Sequence, residues 1–174
     1  MLWLFDWLQS HYLDIKFLHV ISVAMWSFST AVAYRDYIVP TFLAVEKYPD
    51  DKERLARRNW AMERFDKGAV LEHIAFPIVL ITGALMFWTG GWSLASWSWF
   101  AAKMLIVAGI FLPIEIVDYY ISHFGGNKEK IRLSGNMERY ASMMQFHWLF
   151  FRITAVFIVL FIPLSYYLAI TKPF

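Results

Sequence analysis

Residues 146–170, FHWLFFRITAVFIVLFIPLSYYLAI, decide the fold. The run is almost wholly apolar, and a helix needs about 20 such residues to cross a bilayer. Three stretches of the same kind precede it, at about residues 12–39, 69–88 and 97–120. Spans this long at barrel tilt do not occur, so strands are not expected. The reading is all-α: a four-transmembrane-helix bundle forming one integral membrane domain over residues 1–174. Composition agrees. The chain is 59% hydrophobic and 17% charged, where a soluble domain carries about 25% charged residues. The surplus apolar surface calls for a lipid bilayer as partner, and no nucleic-acid partner is expected. Residues 1–10, MLWLFDWLQS, lack a basic start and a small-residue cleavage site. They read as an interfacial lead-in to the first helix.

The loops are asymmetric. The first holds VEKYPDDKERLARRNWAMERFDKG, in which Asp50 or Asp51 can cap a short charged, amphipathic cytoplasmic helix reaching Lys67. The second, TGGWSLAS, is short and neutral. The third, HFGGNKEKIRLSGNMERYAS, carries Lys128, Lys130, Arg132 and Arg139. Basic residues gather in loops one and three, so these are expected in the cytoplasm. Both termini then lie outside, in a multi-pass protein of the cell (inner) membrane. Trp88, Trp92, Trp97 and Trp99 form an aromatic belt at the outer turn.

Ionisable groups within the apolar stretches are costly and need a reason. Lys16 and His19 share a face of the first helix, with Trp26 two turns along it. Glu72 and His73 lie on the second, Lys103, Glu115 and Asp118 on the third, His147 and Arg152 on the fourth. By helical rise, Lys16, His19 and Lys103 fall at an outer depth. His73, His147 and His123 fall at an inner one, with Glu72 and Glu115 nearby. The chain has no cysteine, which excludes disulfides, thiolate metal sites, Cys nucleophiles and covalent haem attachment. Imidazoles on facing helices can still hold haem iron. The candidate metal ligands are therefore His19, His73 and His147, and zinc or copper could use the same nitrogens. Each of these residues could equally be an interhelical hydrogen-bond partner, and the His73–His147 pair could instead form a metal or proton-relay site. Facing helices pack about 8–10 Å apart, so a haem between His73 and His147 requires splayed helices or a second ligand from His123 or a partner subunit. Arg64, Lys67 or Arg139 would meet the propionates of such an inner haem.

The run IKFLHVISVAMW, residues 15–26, resembles the first membrane helix of the HemJ-type protoporphyrinogen IX oxidase family, which opens on a similar Lys-x-x-His followed by a Trp. MER at residues 62–64, Pro77, Gly83, a Trp shortly before Lys103 and the final KPF match in order. The resemblance implies that His19 contacts haem or porphyrin and that Lys103 corresponds to the family's third-helix lysine. LPIEIV and YYLAITKPF also resemble a sister group of membrane proteins placed near the CopD-like domains. YRDYIVPTF stands where the oxidases have a PRLF-like segment, and His73 and His147 depart from their pattern. The expectation is a haem b-binding membrane redox protein, a cytochrome in electron transfer. Its cofactor residues would be His19, His73, His147, Lys103, Trp26 and Arg139. A quinone, a porphyrin, a redox protein or a second copy of the chain would be its partner. Three alternatives stay open: a HemJ-type oxidase acting on a porphyrinogen, a copper-handling protein, and a helix-bundle subunit without cofactor.

Overall fold

The computed structural model describes residues 2–92, 94 and 98–173. Trp97 of the expected aromatic belt and Phe174 of the KPF ending lie outside the described residues. The fold is all-α. A short helix, α1 (Leu2–Ser10), leads into α2 (Tyr12–Lys47), α3 (Lys52–Gly90), α4 (residues 99–123), α5 (Lys128–Leu133) and α6 (Met137–Thr171). Four helical stretches are long and apolar enough to cross a membrane. Their outer faces carry large exposed apolar side chains such as Leu105, Ile153 and Val159, as expected of surface that meets lipid.

Local chemistry sets the helix ends. Asp51 starts α3 from an extended conformation, its carboxylate accepting from the Glu53 and Arg54 amides at 3.0 and 3.1 Å. Those amides have no partner inside the helix, and a capping side chain supplies one. Asn127 caps α5 and Asn136 caps α6 in the same manner. The charged helix expected after the first loop is present, but it is not separate. It runs through Ala69 directly into the apolar half of α3. At about 58 Å, α3 is far longer than an apolar layer of about 30 Å. Nor is its charged half wholly a surface, because Ala61, Met62, Phe65 and Asp66 are buried.

Two prolines reshape the helices they sit in. Pro40 and Pro113 each follow a π-helical turn, at Tyr34–Ile38 and Val107–Phe111. Proline has no N–H and its ring clashes with the carbonyl four residues back, so the ladder widens just before it. The wide turn inserts one residue and turns the rest of the helix by about 100°. In an unbroken α4, Phe111 would lie about 80° from Lys103; with the insertion they come within about 20°. Glu115 and Asp118 follow Phe111 onto that inward face, and all three are buried.

The bundle has two cores. One, at the end carrying the basic loops, joins Ile38, Phe42, Met62, Phe65, Met144 and Phe151. The other, within the apolar layer, joins Trp26, Phe76, Ile106, Phe111 and Leu168. At the basic end α5 runs antiparallel to α3 and is fastened by three ion pairs. These are Arg132 to Glu63 at 2.8 Å, Lys128 to Asp66 at 2.8 Å and Lys67 to Glu129 at 2.8 Å. The first and last are solvent-exposed and worth little each. Lys128 and Asp66 are fully enclosed.

Candidate functional site

The aromatic end of the bundle holds a cavity of about 760 Å³, well within the size range of sites for flat cofactors. Phe87 and Phe100 stack in its wall with ring centroids 5.0 Å apart, and Trp92 and Trp99 lie beside them. Lys16, Lys103 and Lys172 also line it. His19 projects in from α2 beside Gly83 of α3, where a Cβ would lie 3.4 Å from the imidazole Cε1. The ring is held by Thr82, whose Oγ1 is 2.9 Å from His19 Nδ1, with the Val79 carbonyl also facing it. Thr82 donates its own proton to the Ile78 carbonyl at 2.6 Å. Its oxygen can therefore only accept from Nδ1–H, which leaves the lone pair of a neutral ring on Nε2. No acidic side chain is paired with Lys103 among the described residues.

Trp26 closes the inner end of this cavity. Its ring packs on Phe76 and Phe111 at 5.3 and 4.9 Å, and its Nε1 donates to Glu115 at 2.6 Å. Behind it lies a second, enclosed cluster. Glu115 and Glu72 sit close enough to interact, and Thr30 donates to Glu72 at 2.5 Å. One turn further along α4, Asp118 lies between two imidazoles. His73 Nε2 is 3.2 Å from one of its oxygens and His147 Nε2 is 3.3 Å from the other. Both contacts are ion-pair distances without an aligned hydrogen bond. His73 Nδ1 meets His123 Nε2 at 2.7 Å. His147 Nδ1 meets the Lys128 ammonium, which also reaches the Ile121 carbonyl at 3.3 Å and Asp66.

The chain doubles back sharply to bring Lys128 here. A Cβ on Gly126 would fall 2.7 Å from the Ile121 backbone, so only glycine fits this turn. Lys128 and Asp66 were not legible as site residues. In the sequence one reads as a loop charge and the other as part of a solvated helix face. The signal that could have found them is the Gly125–Gly126 pair just before Lys128, together with Glu63, Asp66 and Lys67 recurring at helical spacing on one face of α3.

The expected residues thus fall into two places. His19, Lys103 and Trp26 line the cavity. His73, His147 and His123 do come together, yet the haem expected between His73 and His147 meets an obstacle. Asp118 occupies the space between the two Nε2 atoms, and Lys128 takes the other side of His147. Arg139 joins neither group. It lies exposed at the basic end and donates to the Gly125 carbonyl at 2.8 Å. Lys67 is paired with Glu129, and Arg64 lies over the Trp60 ring. Among the described residues, no three His, Asp or Glu are arranged to hold a metal ion.

No family model, no curated protein and no solved structure matches this chain.

Proposed function

We propose that this is a haem b-binding integral membrane redox protein whose porphyrin lies in the cavity beside His19. One observation carries the reading: a free imidazole nitrogen and a lysine without an acidic partner share an aromatic cavity of about 760 Å³. An unpaired cation inside an apolar wall is expensive. An anionic or ligating occupant would offset that cost. The residues fit a haem. His19 offers Nε2 to iron, Thr82 orients the ring from behind, the stacked aromatics suit a flat macrocycle, and Lys16 and Lys172 suit its propionates. Haem bound there would supply a one-electron couple, its potential set by axial ligand and burial.

The second reading, oxidation of a porphyrinogen, is favoured by the same lysines, because a porphyrinogen carries the same propionates. The copper reading has no arranged ligand set among the described residues, as the three candidate histidines are divided between two sites. In the membrane we place the basic end in the cytoplasm and both termini outside, following the loop charges.

The deciding experiment is the absorption spectrum of the purified protein, oxidised and reduced, with haem quantified per chain. About one haem per chain, lost in His19→Ala and kept in His73→Ala, supports the reading. A haem-free protein, or a haem indifferent to His19, ends it. Turnover of protoporphyrinogen by the haem-loaded protein selects the second reading.

A further inference from the structure

The enclosed cluster behind Trp26 is the second chemical feature of the molecule, and the cavity chemistry makes no use of it. We propose that the Glu72–Glu115 pair is a proton-accepting site served from the basic end by a relay through His123, His73 and Asp118. The proposal stands whether or not a porphyrin fills the outer cavity.

The two carboxyl groups lie side by side, Glu115 buried and Glu72 partly so, each with one fixed donor, Thr30 on Glu72 and Trp26 on Glu115. Neither is ion-paired with a lysine or arginine among the described residues. Two adjacent carboxylates without a counter-cation repel, and one shared proton removes the repulsion. Such a proton needs a route, and the route is drawn in imidazoles. His123 is only half-buried and stands at the end of α4. Its Nε2 faces His73 Nδ1 at 2.7 Å, and His73 Nε2 faces Asp118 at 3.2 Å.

The atoms balance at every hop. A proton from water bonds to His123 Nδ1, and the Nε2–H bond of His123 breaks as an N–H forms on His73 Nδ1. The Nε2–H bond of His73 then breaks as an O–H forms on Asp118. Asp118 passes that proton to Glu115, one turn away on the same face of α4, where Cβ atoms are about 5–6 Å apart. One proton enters and one carboxylate becomes a carboxylic acid; no electron moves. Reversal of the sequence releases it.

The other groups facing Asp118 set its surroundings. His147 from α6 approaches the second oxygen, the Ser122 hydroxyl lies 3.5 Å from that oxygen, and Lys128 and Asp66 stand behind His147. The Lys128–Asp66 pair supplies no net charge to these surroundings. A purely structural latch would not need His123, which reaches the surface and bonds nothing but His73 with its Nε2.

The test is infrared spectroscopy on the whole protein in lipid, with glutamate labelled by ¹³C. The expected result is a protonated-carboxyl C=O band that shifts with the label and is missing in Glu115→Gln. Its exchange on transfer to D₂O should slow about tenfold or more in His123→Ala, at unchanged band intensity. If Glu115→Gln does not fold, the label still assigns the band to glutamate, and its loss in Glu72→Gln assigns it to the pair. Absence of a glutamate-sensitive protonated band across the pH range of the folded protein would overturn the proposal. So would an exchange rate that is the same in wild type and His123→Ala.

Discussion

Trp26 on α2 and Glu115 on α4 are joined by a 2.6 Å hydrogen bond that forms the partition between the outer cavity and the enclosed acid–base cluster. The indole presents an apolar face to Phe76 and Phe111 and a single donor to the carboxyl. Trp26→Phe keeps a ring in place and removes only that donor. A hydrogen bond to an ionisable group is worth about 1.5–3 kcal/mol. The variant should fold and unfold at a lower temperature in detergent, with a loss of that size. A loss indistinguishable from zero would mean that the bond is not formed in the folded protein.

Gly83 sets the clearance beside His19. A Cβ there touches the imidazole edge at 3.4 Å, and a branched side chain would reach the ring itself. Gly83→Val should push the imidazole off Thr82 and, if the cavity holds the proposed haem, lower haem content several-fold, while circular dichroism stays that of a helical bundle. Unchanged haem content would show that the ring position does not matter to binding.

Lys128 and Asp66 form a pair with side chains at 0% and 1% exposure. Removing one partner strands a buried charge, at a cost of about 3–5 kcal/mol. Lys128→Met alone should destabilise by that amount. Lys128→Met combined with Asp66→Leu should recover most of it, because a shape-filling apolar pair carries no desolvation cost. If the double variant is as unstable as the sum of the singles, the pair is not the unit of stability.

Helix α3 begins on a carboxylate whose ionisation matters. The Arg54 amide, then the Arg54 guanidinium and the Glu53 amide, hold the Asp51 carboxyl below its usual range. A depressed acid stabilises above its unfolded value and loses that stabilisation as pH falls through its folded value. The first turn of α3 should therefore fray on acidification below the ordinary carboxylate range. Amide exchange at Glu53 and Arg54 should rise there in wild type. In Asp51→Ala it should be fast at every pH.

The absence of cysteine makes topology directly measurable. Trp3→Cys, at a position 76% exposed on α1, should react with an impermeant thiol reagent applied to intact cells. Arg57→Cys, on the charged half of α3, should react only after lysis. The reverse pattern would invert the orientation proposed from the loop charges.

Hydropathy made the four long helices legible, because length and apolarity are properties of contiguous residues. It also placed His19 and Lys103 at one depth, since rise per residue is nearly constant. What it could not supply was lateral position. Asp118 separates His73 from His147 only because α3, α4 and α6 converge there. Asp66 and Lys128 are 62 residues apart and read as ordinary solvated charges until α5 folds back beneath Ile121. Burial of a charge is decided by what covers it, and that information lies in other parts of the chain.

The wide turn at Val107–Phe111 has a consequence for how relatives of this chain should be aligned. Residues before and after it are out of phase by one position relative to a regular helix, yet Lys103, Glu115 and Asp118 still point the same way. A sequence that lacked both Pro113 and one residue of 107–111 would present the same three side chains inward from an unbroken helix. A single-residue gap between Lys103 and Glu115 that also removes the wide turn therefore keeps the three side chains on one face, whereas a gap outside that interval rotates one of them away. Homologues sharing this face can differ in length by one residue here, and a gap-averse alignment would pair their acids with lipid-facing positions.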